Sequence, residues 1–349
     1  MTKAFFLLGF SLLLGAFTAA AQNSIEVYGV WHCGNDLCGW DHVLDPAEFG
    51  AENHWLIDRG DGVPSVNLVV LSFVNPLRLH NLVNDNRTSQ GLPIGMTPNI
   101  IDYFSSRNVR VMLSIGGFTY TRDWDQALDT NPAQLGVNAA RLAQRLNVGI
   151  EIDYENDSRP NLVGLQKFID AYRAILPYDA SGRNAAARLT IDLAFDDGYL
   201  NSLTQYATAN WLSISHPVLD YSNAMVPFEK ADGAVVQAGW QEHIDGKPPV
   251  PPLAPAKLTG SLFIVNRRKL TPECDHFDSS LEKATAQFVQ TVSPHGAGTT
   301  SGMLGYMFWA AGCPGSRFEC TAPPNACSGI STGAQAYKIP VPMPPLRQN

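Results

Sequence analysis

The stretch Val148-Gly149-Ile150-Glu151-Ile152-Asp153-Tyr154-Glu155 alternates small or acidic residues with apolar ones. Successive side chains of a β-strand face opposite sides, so Gly149, Glu151, Asp153 and Glu155 share one face and Val148, Ile150, Ile152 and Tyr154 the other. Helical spacing precedes the stretch over residues 133–146 and follows it over 162–176. That is the setting of a parallel strand covered by helices, whose acidic face is then enclosed as well. An edge strand with its acids in water is the alternative, and it fits these flanks poorly. Like charges in an enclosed space cannot all ionise freely, so at least one carboxyl should keep its proton towards neutral pH, as a general acid must.

Seven further strand-like runs surround this one, at residues 26–31, 66–74, 109–115, 189–194, 221–226, 258–265 and 303–309. Helical segments fall between most of them, at 99–106, 200–212, 234–243 and 279–292, while the stretch between the first two strands reads as a loop rich in Gly, Asp and Trp. Eight strands alternating with helices predict a single-domain α/β fold, the (β/α)8 or TIM barrel. An open doubly wound sheet would show a Gly-rich phosphate loop after its first strand, and none is found.

The acidic strand resembles the D-G-x-D-x-D-x-E pattern of the family 18 glycoside hydrolases, which include chitinases and endo-β-N-acetylglucosaminidases. Gly149, Asp153 and Glu155 match, Glu151 stands for an Asp, and Val148 replaces the first Asp. A second mark of that family, S-x-G-G on the third strand, appears as Ser114-Ile115-Gly116-Gly117. The resemblance implies Glu155 as general acid, Asp153 as the group that orients the substrate's 2-acetamido arm, and Glu151 as the proton-sharing partner behind it. It also implies Trp309, at the end of the eighth strand, as the floor under the sugar. The glycines allow close backbone approach at the strand end, and the Ser114 hydroxyl could reach the inner carboxylates. The family's sixth strand ends in M-x-Y, whereas here Met225-Val226-Pro227 occupies that place, so the missing tyrosine must be replaced by Tyr221, Asn223, Tyr199 or Tyr306. Met225 and Tyr221 are therefore carried as substrate-binding candidates with Ser114, Gly116, Gly117 and Trp309. Trp31, Trp40, Trp55, Trp124 and Trp240 are further candidates for lining a sugar cleft.

The resemblance implies hydrolysis of β-1,4 linkages next to N-acetylglucosamine, in chitin or chitooligosaccharides, without metal or other cofactor. The alternatives are an endo-β-N-acetylglucosaminidase acting on N-glycan cores, or a barrel of weakened catalysis that binds a glycan or a protein. The ends of the chain bear on location. Lys3, the apolar run 4–17 and Ala19-Ala20-Ala21 predict a secretory signal over residues 1–21, followed by the barrel over 22–338 and a Pro-rich tail over 339–349. Six cysteines, an even number, suit a secreted and oxidised protein, with Cys33 expected to pair with Cys38. The formal charge of -8 disfavours nucleic acid and anionic membrane as partners. A monomer acting on a glycan is expected.

Overall fold

The computed structural model describes residues 25–34, 39–58, 64–196, 198–227, 232–263, 279–297 and 301–311. In chain order the strands are β1 (Val27–His32), β2 (Leu68–Val74), a two-stranded hairpin β3 (Thr88–Ser89) and β4 (Leu92–Pro93), β5 (Arg110–Gly116), β6 (Gly149–Asp153), β7 (Leu189–Leu193), β8 (Ser222–Ala224), β9 (Leu258–Phe263) and β10 (Gly305–Trp309). Apart from the hairpin, all are parallel neighbours in one closed barrel, sealed where Val27 of β1 pairs with Gly305 of β10. The eight barrel strands lie where the sequence places them, which makes this the expected (β/α)8 barrel.

Their two-residue period divides the core in two. Val27, Trp31, Leu68, Val70, Met112, Tyr221, Leu304 and Met307 pack together inside the barrel. Val30, Val69, Leu71, Leu113, Ile115, Ile150 and Ile152 belong to the larger layer under the helices. Both faces of each strand are thus covered, as an all-parallel sheet requires.

The helices are α1 (Pro46–Ile57), α2 (Pro76–His80), α3 (Pro98–Ser105), α4 (Thr121–Thr130), α5 (Pro132–Leu146), α6 (Leu162–Ile175), α7 (Asn201–Asn210), α8 (Gly233–Asp245) and α9 (Ser279–Thr291). Four begin on a capping side chain followed by proline: Asp45-Pro46, Asn75-Pro76, Thr97-Pro98 and Asn131-Pro132. The proline has no N–H to leave unpaired in the first turn, while the cap oxygen accepts a bond from a free backbone N–H beyond it.

One such start corrects the loop expected between the first two strands, because α1 occupies it. Asp45 accepts from the Ala47 and Glu48 N–H groups, both at 2.9 Å. Phe49, Asn53, Leu56 and Ile57 then fall on one buried stripe. Helix α4 is a second addition to the expected helices, and Trp124, Ala127 and Leu128 give it a buried face at helical spacing.

Helices α5 and α6 bracket β6 and fix its place. Leu135, Ala139, Leu142 and Ala143 form the buried stripe of α5, and each fully buried leucine contributes about 1.5–3 kcal/mol. The two helices approach so closely that a Cβ on Gly136 would lie 2.2 Å from the Phe168 carbonyl oxygen. Asn147, left-handed at φ 54, then ends α5 and turns the chain straight into β6. The expected signal segment, the Pro-rich tail, Cys38, Cys274, Cys313, Cys320 and Cys327 lie outside the described residues, so the Cys33–Cys38 pairing does too. No described helix is long and apolar enough to cross a membrane.

Candidate active site

The strands' C-terminal ends open at one mouth of the barrel, and β6 carries its acids towards it in order of depth. Glu151 is fully buried, Asp153 is 5% exposed, and Glu155, just past the strand, is half-buried. All three come from the one strand predicted to hold them.

Glu151 lies at the centre of a buried polar network. Its Oε1 accepts from the Trp31 indole Nε1 at 2.8 Å and its Oε2 from Asn223 Nδ2 at 2.7 Å. Ser114 stands directly across the register from Glu151. Its hydroxyl approaches the carboxyl without strict hydrogen-bond geometry. Burial pushes the Glu151 carboxyl up to about 7, and the bonds from Trp31 and Asn223, with the nearby Ser114 hydroxyl and Asp192 carboxyl, restrain that rise.

Glu151 and Asp153, the pair expected to share a proton, act on each other through charge. No hydrogen bond joins them: Glu151 uses its extra methylene to reach Trp31 on β1 and Asn223 on β8, across the barrel interior. Its carboxyl neighbour is Asp192 of β7, whose Oδ1 accepts from the same Asn223 Nδ2 at 2.9 Å. Asp153 keeps one oxygen, Oδ1, without a protein partner. Burial holds its carboxyl well above the usual carboxylate range, helped first by the charge of Glu155 and then by that of Glu151.

Glu155 accepts from the Tyr199 hydroxyl at 3.1 Å. Burial raises its pKa, while that bond and one from the Phe118 backbone N–H pull it down. Phe118 itself begins a turn immediately after Gly117 and is 73% exposed at the mouth.

The Ser114-Ile115-Gly116-Gly117 segment shapes the rim. Gly116, at φ 127, lies so close to β6 that a Cβ would sit 1.8 Å from the Asp153 carbonyl oxygen. That oxygen accepts from Gly117 N–H at 3.0 Å and from the Trp124 indole at 3.1 Å. These two residues therefore hold the backbone of Asp153, and the reading of the glycines as a close-approach pair stands on this geometry.

The aromatic candidates separate cleanly. Trp309 stacks on Phe73 with ring centroids 5.6 Å apart and leans against Trp31 at 6.3 Å, making an aromatic wall beside the acids. Trp40 is buried with its indole on the Ser72 carbonyl, Trp124 lies under Gly116, and Trp240 packs outside the barrel against Tyr306 and Phe288, so none of these three lines a cleft. The Trp55 side chain lies outside the described part.

Among the four substitutes for the family's tyrosine, two reach the acids: Asn223 on Glu151 and Tyr199 on Glu155. Tyr221 does not. It precedes β8, so it belongs to the opposite, N-terminal end of the barrel, buried beside Arg188. The structure therefore does not bring Tyr221 together with the acids. Tyr306 points the other way, with its hydroxyl 2.7 Å from Thr285 of α9. Met225 sits just past β8, half-buried against the core, and its N–H is tied to the Leu193 carbonyl at 2.8 Å.

Asp192 is the acid of the site that sequence reasoning misses, and Phe73 and Thr259 are missed with it. The signal for Asp192 is present in Leu189-Thr190-Ile191-Asp192-Leu193, where the same alternation as in β6 sets Thr190 and Asp192 on the inner face.

No protein-family model matches the sequence, and no curated protein matches it. Among solved structures, the chain is similar to a chitinase from Rhizomucor miehei, with a TM-score of 0.52, 14% identity, and coverage of 75% of this chain and 93% of that one. It is also similar to a GH18 chitinase from Pseudoalteromonas aurantia, with a TM-score of 0.49, 13% identity, and coverage of 75% and 90%. At such identity the first likeness is one of fold, and it agrees with the closed barrel.

Proposed function

We propose that this protein is a secreted glycoside hydrolase that cleaves β-1,4 linkages next to N-acetylglucosamine in chitin or chitooligosaccharides, by a substrate-assisted retaining route. The observation that carries this reading is the pair Asp153 and Glu155 at the C-terminal end of β6 in the barrel mouth, the first buried with an unpartnered oxygen and the second half-buried and raised in pKa. A raised, partly exposed carboxyl suits a general acid. Glu155 gives its proton to the glycosidic oxygen as that bond breaks. The substrate's acetamido oxygen attacks the anomeric carbon, forming an oxazolinium ion, and an oxygen of the Asp153 carboxyl accepts from the acetamido N–H and orients it. Glu155 then takes a proton from the water that opens the ring, so the anomeric configuration is retained.

Trp309 and Phe73 supply the apolar wall against which a sugar face can stack. The Ser114-Ile115-Gly116-Gly117 segment supports the same reading, because it fixes the Asp153 backbone. Secretion rests on the N-terminal apolar segment alone.

The test is incubation with chitooligosaccharides and, separately, with a high-mannose glycoprotein, followed by mass spectrometry and anomer analysis of the products. Chitooligosaccharide products of retained configuration are expected. Release of N-glycans alone would move the substrate to glycoprotein cores, and no cleavage of either would sink the enzymatic reading.

A further inference from the structure

Asp192 is 3% exposed inside the barrel and faces carboxyls rather than a cation. The Asn223 amide decides how that is tolerated. Its Nδ2 donates both hydrogens, to Glu151 Oε2 at 2.7 Å and to Asp192 Oδ1 at 2.9 Å, while its Oδ1 accepts from the Thr259 hydroxyl at 2.7 Å. The amide is thereby oriented, since reversing it would aim its oxygen at two carboxyl oxygens. Two carboxyls buried side by side on one amide cannot both carry charge freely. Glu151 also receives the Trp31 indole and is the better supplied with donors, so the charge belongs there and the proton on Asp192.

We propose that Asp192 is a positioning residue that stays protonated through neutral pH and donates its hydroxyl to Glu151, fixing where Glu151 ionises. Glu151 in turn sets the charge felt by Asp153, so Asp192 acts on the reacting acids at second hand. Its proton stays in place during turnover and no bond to carbon involves it. The other titratable groups on this network are Asp153, whose charge Asp192 feels and which itself feels Glu151 and Glu155, and Tyr221, which feels the charge of Glu151; Trp31, Ser114, Asn223 and Thr259 are neutral. The shifts run the same way: burial and the Glu151 charge hold Asp192 well above the carboxylate range, and the neighbouring Asp192 carboxyl lowers Glu151.

The inference rests on the glycosidase reading only in its kinetic arm, so the primary test is infrared titration of the apo protein. Asp192→Asn keeps a donor to Glu151 but removes an acid. It should lose one protonated-carboxyl carbonyl band that the wild type shows at neutral pH, and leave the Glu151 step near pH 7. Asp192→Leu removes the donor and should move that step to higher pH by about one unit, the worth of a hydrogen bond of roughly 1–2 kcal/mol. With chitooligosaccharides, Asp192→Leu should lower kcat about tenfold or more with a shifted pH profile, and Asp192→Asn should restore both to within about threefold. An unchanged carbonyl band in Asp192→Asn would overturn the proposal even if Asp192→Leu failed to fold, as would a Glu151 step that Asp192→Leu left in place. A wild type inactive on every glycan would remove the proposed function, while the infrared titration would still decide the protonation of Asp192.

Discussion

At the scale of single residues, environment separates three carboxyls that the sequence presents as equals. Glu155→Gln keeps shape and loses the acidic proton, so kcat should fall on the order of 10²–10⁴-fold with little change in KM. A variant with most of its turnover would place the general acid elsewhere. Tyr199→Phe removes a bond that lowers the Glu155 pKa. The acid works in its protonated form, so a higher pKa extends activity upward, and the alkaline limb of the pH–rate profile should move up by roughly half a unit to one unit. A downward shift would mean that Tyr199 holds the protonated form. Glu151→Asp would restore the residue of the resembled family, yet it withdraws the carboxyl from Trp31 and Asn223 across the barrel. Activity should therefore drop rather than persist, and kcat for this variant against wild type decides the matter.

At the scale of elements, the turn after β5 is the least forgiving part of the site. Gly116→Ala sets a methyl against the Asp153 carbonyl oxygen at 1.8 Å and places alanine at φ 127. A loss of about 3 kcal/mol or more in denaturant unfolding, together with loss of activity, is expected. At Gly117, φ 89, the nearest atoms are the Phe73 ring at 3.1 Å, so Gly117→Ala should cost less, about 1–3 kcal/mol. Equal costs would show that strain rather than collision governs the turn. Asp45→Ala, which uncaps α1 far from the acids, should lower stability by about 1 kcal/mol and leave kcat alone.

At the scale of the whole molecule, four carboxyls in one barrel mouth and interior, Glu151, Asp153, Glu155 and Asp192, all have raised pKa values. The folded state therefore binds more protons than the unfolded chain once pH exceeds the ordinary carboxylate pKa. By linkage, stability from these groups is greatest below about pH 4 and declines as pH rises towards their folded values. For Glu151 the window runs from 4.5 to about 7, worth on the order of 3 kcal/mol. The Tm of wild type, corrected for its exposed charges, should fall across that window, and Glu151→Gln should flatten the fall. An unaltered slope in the variant would show that Glu151 ionises as freely when folded as when unfolded.

The sequence by itself determined the eight strands and most of the helices, because each strand is buried on both faces and short, largely apolar runs between helical segments record that burial directly. It also determined Glu151, Asp153 and Glu155 as a set, since they lie on one strand and their order of depth follows from the direction of the chain. Helices α1 and α4 were legible in principle from Asp45-Pro46 and from the spacing of Trp124, Ala127 and Leu128. Which groups those acids meet was decided by closure of the barrel. Trp31, Asp192, Asn223 and Thr259 come from four other strands, and residues up to 120 positions apart become hydrogen-bond partners only when β1 seals against β10. Tyr221 and Asn223 stand two apart in sequence, yet one is buried beside Arg188 at the barrel base and the other holds Glu151. A strand rises about 3.3 Å per residue, so two positions move a side chain a full layer up the barrel, and only the register of β8 against its neighbours fixes which layer meets the acids.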